Sequence, residues 1–216
     1  MNACAIRLEE QIISLFSQQE TELYQGWILK KEEKYLCVYP LYSYYPDHNI
    51  LQAIQRCEEI SQQNGLECLF RIAEYTNYHL ASILLDQGYR IQKSCLVGEF
   101  QIEESKHHSY LSGKKEKLSV TDVQETDALF FRQINQGMAE RIIAQSGVEI
   151  GFRQQELLFL PDGRYLESKR LEQILCFSQG NGISRIVVNL PGQEDLPKDY
   201  EELGCHKAYR YRCYGK

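Results

Sequence analysis

The stretch that most constrains the fold runs from residue 156 to residue 189 and reads as strand, loop, helix, turn and strand. Residues 156–160 form a short apolar run that ends at the turn-forming residues Pro161-Asp162-Gly163. Apolar side chains over 171–175 then follow helical spacing, and Asn181-Gly182 predicts the end of that helix before a second apolar strand. A strand leading into a helix N-terminus is a common anion site, because the first amides of a helix lack intrahelical partners.

The composition is that of a globular protein able to bury a core. The chain has 216 residues, of which 43% are hydrophobic and 25% charged, enough for one large domain or two small ones. A net charge of −6 argues against a nucleic-acid partner. No apolar run approaches the length of a membrane span, and Arg7, Glu9 and Glu10 interrupt the N-terminus where a signal peptide would be apolar. We therefore expect a cytoplasmic protein without a membrane partner.

The cysteines and histidines predict no metal site. The chain has eight cysteines, none of which forms Cys-x-x-Cys, and most lie within apolar runs. This pattern is typical of buried, reduced thiols rather than of a disulfide framework or a zinc site. The pair His107-His108 has no partner at ligand spacing and is interpreted as solvated.

Similar local patterns recur in the two halves of the chain. Gln63-Asn64-Gly65-Leu66 resembles Gly180-Asn181-Gly182-Ile183, and Asp86-Gln87-Gly88-Tyr89 resembles Glu202-Leu203-Gly204-Cys205. Because each half alone has a small core, two copies docked together would bury more apolar surface. We predict an α/β (α+β) protein of two halves, each a mixed sheet flanked by helices. The predicted halves are 1–103 and 118–216, with a polar linker over 104–117.

Several individual elements are also predicted from periodicity. Residues 5–24 and 138–145 have helical spacing, as do residues 126–137, whereas residues 118–123 read as a strand.

The order of these motifs resembles the GNAT superfamily of N-acyltransferases, and tandem GNAT proteins in particular. The C-terminal segment Tyr200-Glu201-Glu202-Leu203-Gly204-Cys205 looks like the family's closing Tyr-x-x-Leu-Gly-Phe motif. In the first half, Gly26-Trp27-Ile28-Leu29 and Leu84-Leu85-Asp86-Gln87-Gly88-Tyr89 carry the likeness. The resemblance implies transfer of an acyl group from acetyl-CoA to an amine, on a small molecule or on a protein.

The family's phosphate loop has the form Arg/Gln-x-x-Gly-x-Gly/Ala, and here it would begin at Arg164. Glu167 and Lys169 stand in the positions of its glycines, so the loop is degenerate. The resemblance implies acetyl-CoA contacts from the strand end and the loop, namely Phe159, Leu160, Arg164, Ser168, Lys169 and Arg170. In an alternative interpretation, Pro161-Asp162-Gly163 is a hairpin turn, residues 164–166 form a strand, and no phosphate loop exists.

Two residues are candidates for proton transfer. By resemblance, Tyr200 would protonate the leaving thiolate, although a tyrosine that packs the short helix fits the sequence equally well. Glu156 would take a proton from the amine through water, and its alternative role is a solvated carboxylate at a strand end.

Three functions are compatible with the sequence. The first is a GNAT-type acyltransferase. The second is a non-catalytic GNAT-fold protein that binds a small ligand or a partner, for which the tyrosines Tyr39, Tyr42, Tyr44 and Tyr45 suggest a cavity wall. The third is a homodimeric scaffold whose aromatic residues form the interface.

Overall fold

A computed structural model describes residues 7–9, 11–13, 21–24, 26–40, 47–75, 78–102, 118–121, 140–144, 149–164 and 166–216. The predicted linker, the predicted helix over 126–137, and Tyr42, Tyr44 and Tyr45 lie outside these residues. The chain divides into two compact units. Unit 1 comprises Met1–Ile13, Ser17–Ser94 and Tyr209–Lys216, and unit 2 comprises Ser14–Phe16 and Cys95–Ala208.

Unit 1 is a mixed sheet with two helices. Strands β1, β2 and β3 are antiparallel neighbours, β3 runs parallel to β4, and β4 is antiparallel to the chain's last strand, β11. A strand order of this kind mixes hairpin and crossover connections. The elements are β1 (Thr21–Tyr24), β2 (Trp27–Lys31), β3 (Tyr35–Tyr39), α1 (Asp47–Gln63), β4 (Glu67–Ala73), α2 (Tyr78–Asp86) and β11 (His206–Gly215).

Alternation along the strands of unit 1 separates two faces. Leu36 and Val38 of β3 and Phe70 and Ile72 of β4 are buried in one core with apolar residues of α1 and α2. Because side chains alternate across a sheet, the residues between them point to the other face. That second face carries Cys37, Arg71 and other residues considered below.

Unit 2 is also a mixed sheet. Strands β6 to β9 are antiparallel neighbours, β9 runs parallel to β10, and β10 is antiparallel to the second part of β5. The elements are β5 (Arg90–Gln101), which begins in unit 1, β6 (Leu118–Thr121), β7 (Glu140–Ala144), β8 (Glu149–Gln154), β9 (Leu157–Leu160), α3 (Ser168–Gly180), β10 (Arg185–Pro191) and α4 (Lys198–Glu202).

The core of unit 2 forms around the β9–α3–β10 segment. Leu158 and Leu160 of β9, Leu171 and Ile174 of α3, and Val188 of β10 are fully buried in one cluster. The apolar spacing that predicted a helix over 171–178 is therefore the face that packs on the sheet. The predicted fold class, a mixed α/β arrangement of sheets flanked by helices, is confirmed.

Two helix predictions are wrong for segments that the structure describes. Thr21–Tyr24 is strand β1, paired with β2, although helical spacing was predicted to continue to residue 24. Glu140–Ala144 is strand β7, paired with β6 on one side and β8 on the other. In both segments, pairing with a neighbouring strand outweighs the weak local helix preference.

The compact units follow strand pairing rather than chain order. Tyr211–Tyr214 of the last strand pairs with Phe70–Ala73 of β4, so the C-terminus completes unit 1. Leu96–Gln101 of β5 pairs instead with Arg185–Leu190 of β10 in unit 2. The division of the sequence at 104–117 stays a prediction.

In the part of the chain that the structure describes, no helix is both long enough and apolar enough to cross a membrane.

Candidate functional site

The segment between β9 and α3 is a loop and not a hairpin. Strand β9 ends at Leu160 and α3 begins at Ser168, and the described residues Arg164 and Leu166 lie outside any strand. The Gly163 amide donates to the Asn189 carbonyl oxygen at 2.8 Å, which holds the loop against β10. The hairpin interpretation of Pro161-Asp162-Gly163 is therefore wrong, because these residues turn the chain toward β10 and a helix.

The amides of this loop are largely used within the chain. Besides the Gly163 amide, the Arg164 amide donates to Asp162 Oδ1 at 3.1 Å and the Leu166 amide donates to the Gly163 carbonyl at 3.1 Å. A loop that binds a diphosphate presents several amides to one external point. Here three loop amides point to acceptors of the protein itself.

Gly163 is tightly packed between β10 and Tyr200. A Cβ at this position would lie 2.3 Å from Val188 Cγ2 and 3.0 Å from the Tyr200 hydroxyl oxygen. The Tyr200 hydroxyl, which is buried, donates to the Gly163 carbonyl oxygen at 2.6 Å. Burial, followed by Cys205 and Asp162, raises the pKa of Tyr200 to about 12. Tyr200 is therefore protonated at neutral pH and anchors the loop.

One carboxylate, that of Asp199, contacts the N-terminus of α3. Ser168, the first residue of this helix, donates its hydroxyl proton to the Asp199 carboxylate. Asp162 forms an ion pair with Arg164, with 2.6 Å between Oδ2 and Nη2, and Glu167 is the N-cap residue. The positive end of the helix dipole favours a nearby anion. In this protein the Asp199 carboxylate supplies that negative charge.

The predicted site residues lie in three places. Phe159 and Leu160 are buried in β9, whereas Lys169 is exposed and Arg170 half-buried in the first turn of α3. Glu156 lies at the opposite end of β9 from the loop, where its Oε2 accepts a hydrogen bond from the Ser184 hydroxyl at 2.9 Å. The structure brings Tyr200 to the loop and keeps Glu156 away from it.

As folded, the loop fits the diphosphate of acetyl-CoA poorly. Three of its amides are occupied, and a diphosphate at the first turn of α3 would approach the Asp199 carboxylate, which accepts a hydrogen bond from Ser168. Repulsion between like charges a few ångströms apart opposes such binding. The contacts predicted for acetyl-CoA and the proton-transfer roles stay predictions. Within the described residues, no group of His, Cys, Asp or Glu side chains is arranged to hold a metal ion.

Unit 1 contains a second candidate site, a cavity of about 720 Å³. Part of its wall is the sheet face opposite the helices, formed mainly by alternate residues of β3, β4 and β11. The rest of the wall includes the end of α1, the C-terminus and the residues Tyr89, Gln92 and Lys93. The residues of β3, β4 and β11 on this wall are Tyr35, Cys37, Tyr39, Glu67, Cys68, Leu69, Arg71, Tyr211, Cys213 and Gly215. This volume is within the range of small-molecule sites. Tyr39, which was predicted to line a cavity, is one of the lining residues, but it is 6% exposed and packs in a core cluster with Ile13 and Cys37.

Arg71 is the least exposed of the charged residues that line this cavity. Its Nε lies 2.6 Å from Oε1 of Glu9, which belongs to the helical residues near the N-terminus, and its Nη2 donates to Oε2 at 3.0 Å. The guanidinium carbon lies 3.4 Å from the centre of the Tyr211 ring and 5.6 Å from that of Tyr39. The Tyr209 hydroxyl also donates to Glu9. Arg71 is thereby fixed in position.

The ionisation of this cluster follows from burial and from the Glu9 carboxylate. Burial alone would lower the pKa of Arg71, but Glu9 and the neighbouring tyrosines raise it well above its ordinary value. Burial, the largest cause, raises the pKa of Tyr39 and of Cys37. The guanidinium is therefore charged, while the phenol and the thiol are neutral.

Sequence reasoning missed Arg71, Cys37 and Cys213 as wall residues. A signal was present, since Arg71 is a charged residue between the apolar Phe70 and Ile72 of a predicted strand. Its partner Glu9 could not be inferred, because the two residues are 62 positions apart in the chain.

No protein-family model matches the sequence. No curated protein matches it either.

Solved structures, by contrast, resemble the whole chain. A GCN5-related N-acetyltransferase from Kribbella flavida matches with a TM-score of 0.58 and 11% identity, over 100% of this chain and 96% of the other. The corresponding enzyme from Sphaerobacter thermophilus matches with a TM-score of 0.55 and 13% identity, over 96% and 84%. A tandem GNAT protein from the clavulanic acid biosynthesis pathway matches with a TM-score of 0.56 and 9% identity, over 93% and 84%.

These likenesses define the fold. The chain has the fold of the GNAT N-acetyltransferases, as its motifs indicated, and the match to a tandem member extends over 93% of its length. At sequence identities of 9–13%, the structural likeness establishes the architecture alone. The chemistry must be argued from the residues of the sites themselves.

Proposed function

We propose that this protein is a non-catalytic, GNAT-fold ligand-binding protein whose small-molecule site is the cavity of unit 1. The observation that carries the proposal is a cavity of about 720 Å³ whose wall includes Arg71, a half-buried arginine held in place by Glu9. Ligand sites typically combine such a volume with apolar and aromatic walls and a few oriented polar groups. In this cavity the wall includes an apolar residue, Leu69, an aromatic residue, Tyr39, and an oriented polar residue, Arg71.

The loop of unit 2 supports the non-catalytic part of the proposal. Acyl transfer from acetyl-CoA requires the diphosphate to be held while the thioester is positioned. The Gly163 amide is bonded to Asn189, the Gly163 carbonyl is bonded to Tyr200, and Asp199 lies at the helix end. A ligand would have to displace these contacts before it could use the loop.

Two measurements on the full chain test the proposal. We expect 1 mM acetyl-CoA to leave the Tm unchanged and no CoA to be released with a panel of amines. We also expect methyl methanethiosulfonate, a small uncharged thiol reagent, to label the cavity thiol Cys213 faster than Cys57, which is buried in the core. CoA release with any amine, or equal labelling of Cys213 and Cys57, would overturn it.

An acyl-CoA-dependent N-acyltransferase is the second candidate. It is favoured by the cations at the loop and helix end, Arg164, Lys169 and Arg170, and by the orphan first amides of α3. In this case Tyr200 would act as the acid, and the acceptor would be an amine on a small molecule or a protein. Binding at one hundred times Kd would then stabilise the folded state by about 2.7 kcal/mol, which a thermal shift detects.

A further inference from the structure

We propose that the first part of β5, residues 90–94, is an open sheet edge on which an extended, acidic peptide segment of a partner protein binds as an additional strand. The open edge adjoins the cavity of unit 1, since Gln92 and Lys93 also line that cavity. The proposal goes beyond the proposed function and does not depend on it. Three observations lead to it: the pairing of β5, the exposure of the open edge, and the charges on it.

Strand β5 has two neighbours in the sheet, but one of them accompanies only its second part. The neighbours are β11 and β10, and the pairing with β10 ends at Cys95, which lies opposite Pro191. Beyond Pro191 the chain turns at Gly192, whose φ is +77°. On the side away from β11, residues 90–94 therefore have no partner among the strands that the structure describes.

Strand β11 holds the other side of the open edge. Gln92 Cγ lies 3.1 Å from the place that a Cβ would take on Gly215, which is the last residue of β11. Residues 90–94 are thereby kept extended as part of the sheet of unit 1. An extended strand that is paired on one side only presents a row of backbone N–H and C=O groups on the other side.

The side chains of the open edge are accessible on both faces of the sheet. Arg90, Ile91, Gln92 and Lys93 are all exposed, and successive side chains of a strand point to opposite faces. Ile91 is an apolar residue that is 49% exposed, so a partner strand would cover apolar surface as well as pair with the backbone. When a peptide binds as an added strand, the main-chain hydrogen bonds give affinity and the alternating side chains give specificity.

The charges of the open edge select the kind of partner. Arg90 and Lys93 are cations without an ion pair in the part of the chain that the structure describes, and residues 90–94 include no carboxylate. The nearest carboxylate in the sequence, that of Asp86, belongs to α2. Pairing of the open edge with the same edge of a second copy would bring like charges together, which is unfavourable. An acidic segment gains the opposite interaction.

Three peptides of about eight residues test the proposal on the full chain. The acidic peptide alternates glutamate with valine, and the basic peptide alternates lysine with valine. The third peptide has the acidic sequence with every amide N-methylated, so that it keeps its charge but cannot donate backbone hydrogen bonds. Fluorescence anisotropy measures binding, and hydrogen–deuterium exchange followed by mass spectrometry locates it.

We expect the acidic peptide to bind at least tenfold more tightly than the other two peptides and to slow exchange in residues 90–94. Exchange in β1 (Thr21–Tyr24), the other edge strand of unit 1, should not change. Equal binding of the N-methylated or the basic peptide, binding without slower exchange in residues 90–94, or no binding at millimolar concentration would overturn the proposal. Slower exchange there as the concentration of protein alone increases would assign the edge to a second copy and would also overturn it.

Charge reversal at the open edge supplies the matched test. Arg90→Glu with Lys93→Glu should reverse the preference, so that the basic peptide binds at least tenfold more tightly than the acidic one. Lys34→Glu reverses another exposed cation of unit 1, on the far side of β4 and β11 from β5, and should change binding less than twofold.

An unchanged preference in the double variant, with native circular dichroism, would overturn the assignment of an acidic partner. A double variant that does not fold would be replaced by Arg90→Gln with Lys93→Gln. For that variant we expect the preference for the acidic peptide to disappear, and its persistence would have the same meaning.

Discussion

Arg71 and Glu9 form a buried ion pair, with 2.6 Å between Nε and Oε1, and they join strand β4 to the helical residues near the N-terminus. The Glu9 side chain is 1% exposed and that of Arg71 13% exposed. The Tyr209 hydroxyl adds a further hydrogen bond to the carboxylate, and the guanidinium stacks on Tyr211. The pair ties together three segments of unit 1 that are far apart in sequence.

Removal of one member of this pair should destabilise the fold strongly. We expect Arg71→Leu to lower the free energy of unfolding by about 3–5 kcal/mol, because it leaves the Glu9 carboxylate buried and unpaired. The double variant Glu9→Leu with Arg71→Leu should recover most of that loss. Urea denaturation of both variants measures it, and a double variant no more stable than the single one would contradict the assignment.

Gly163→Ala should destabilise unit 2. The new Cβ would lie 2.3 Å from Val188 Cγ2, so the loop or β10 must shift, at a cost of about 1–3 kcal/mol. Gly180→Ala is the matched control, because a Cβ there meets no atom within 4 Å and the position lies at the end of α3. Thermal unfolding should show a lower Tm for the first variant and an equal or higher Tm for the second.

Tyr200→Phe should weaken the loop even in the absence of any ligand. The change leaves the buried Gly163 carbonyl without its 2.6 Å hydrogen bond, and we expect a loss of about 1–3 kcal/mol. As a control, Tyr214→Phe removes the hydroxyl of another buried tyrosine, which forms no side-chain hydrogen bond within the part of the chain that the structure describes. Equal stability of wild type and Tyr200→Phe would argue against an anchoring role and would favour the predicted acid role.

Glu58 should make the stability of unit 1 depend on pH in the acid range. Burial by itself raises the pKa of this carboxyl, but hydrogen bonds from Lys216 at 2.5 Å and Tyr89 at 2.7 Å lower it below its ordinary value. A carboxyl with a lowered folded-state pKa adds stability above its unfolded pKa, about 4.3, and that stability is lost as the pH falls through the folded value.

The variant Glu58→Gln isolates this contribution. We expect its free energy of unfolding to be lower than that of wild type at pH 7 and to converge on it as the pH falls below about 4. Urea denaturation at a series of pH values measures the difference. A gap between the two proteins that stays constant down to pH 3 would show that Glu58 is not the titrating group.

The sequence predicted the segment around α3 well, because the relevant pattern is local. Apolar spacing at Leu171 and Ile174 marks the buried face of a helix, and the apolar run before Pro161 marks strand β9. The same reasoning failed at Glu140–Ala144, where helical spacing coincides with a strand paired on both sides. The local preference of such a segment differs little between helix and strand, so pairing with neighbouring strands determines which of the two forms.

Taken alone, the sequence determined the alternation of helices and strands in most of the described chain and, through the order of its motifs, the GNAT fold. Only the tertiary structure decided that Gly163 bonds to Asn189, that Tyr200 closes the loop, and that Arg71 meets Glu9 beside a cavity. The physical reason is the range of the interactions. Periodicity depends on residues three or four positions apart, whereas these contacts join residues 26 or more positions apart and form only when the strands have paired and the cores have packed.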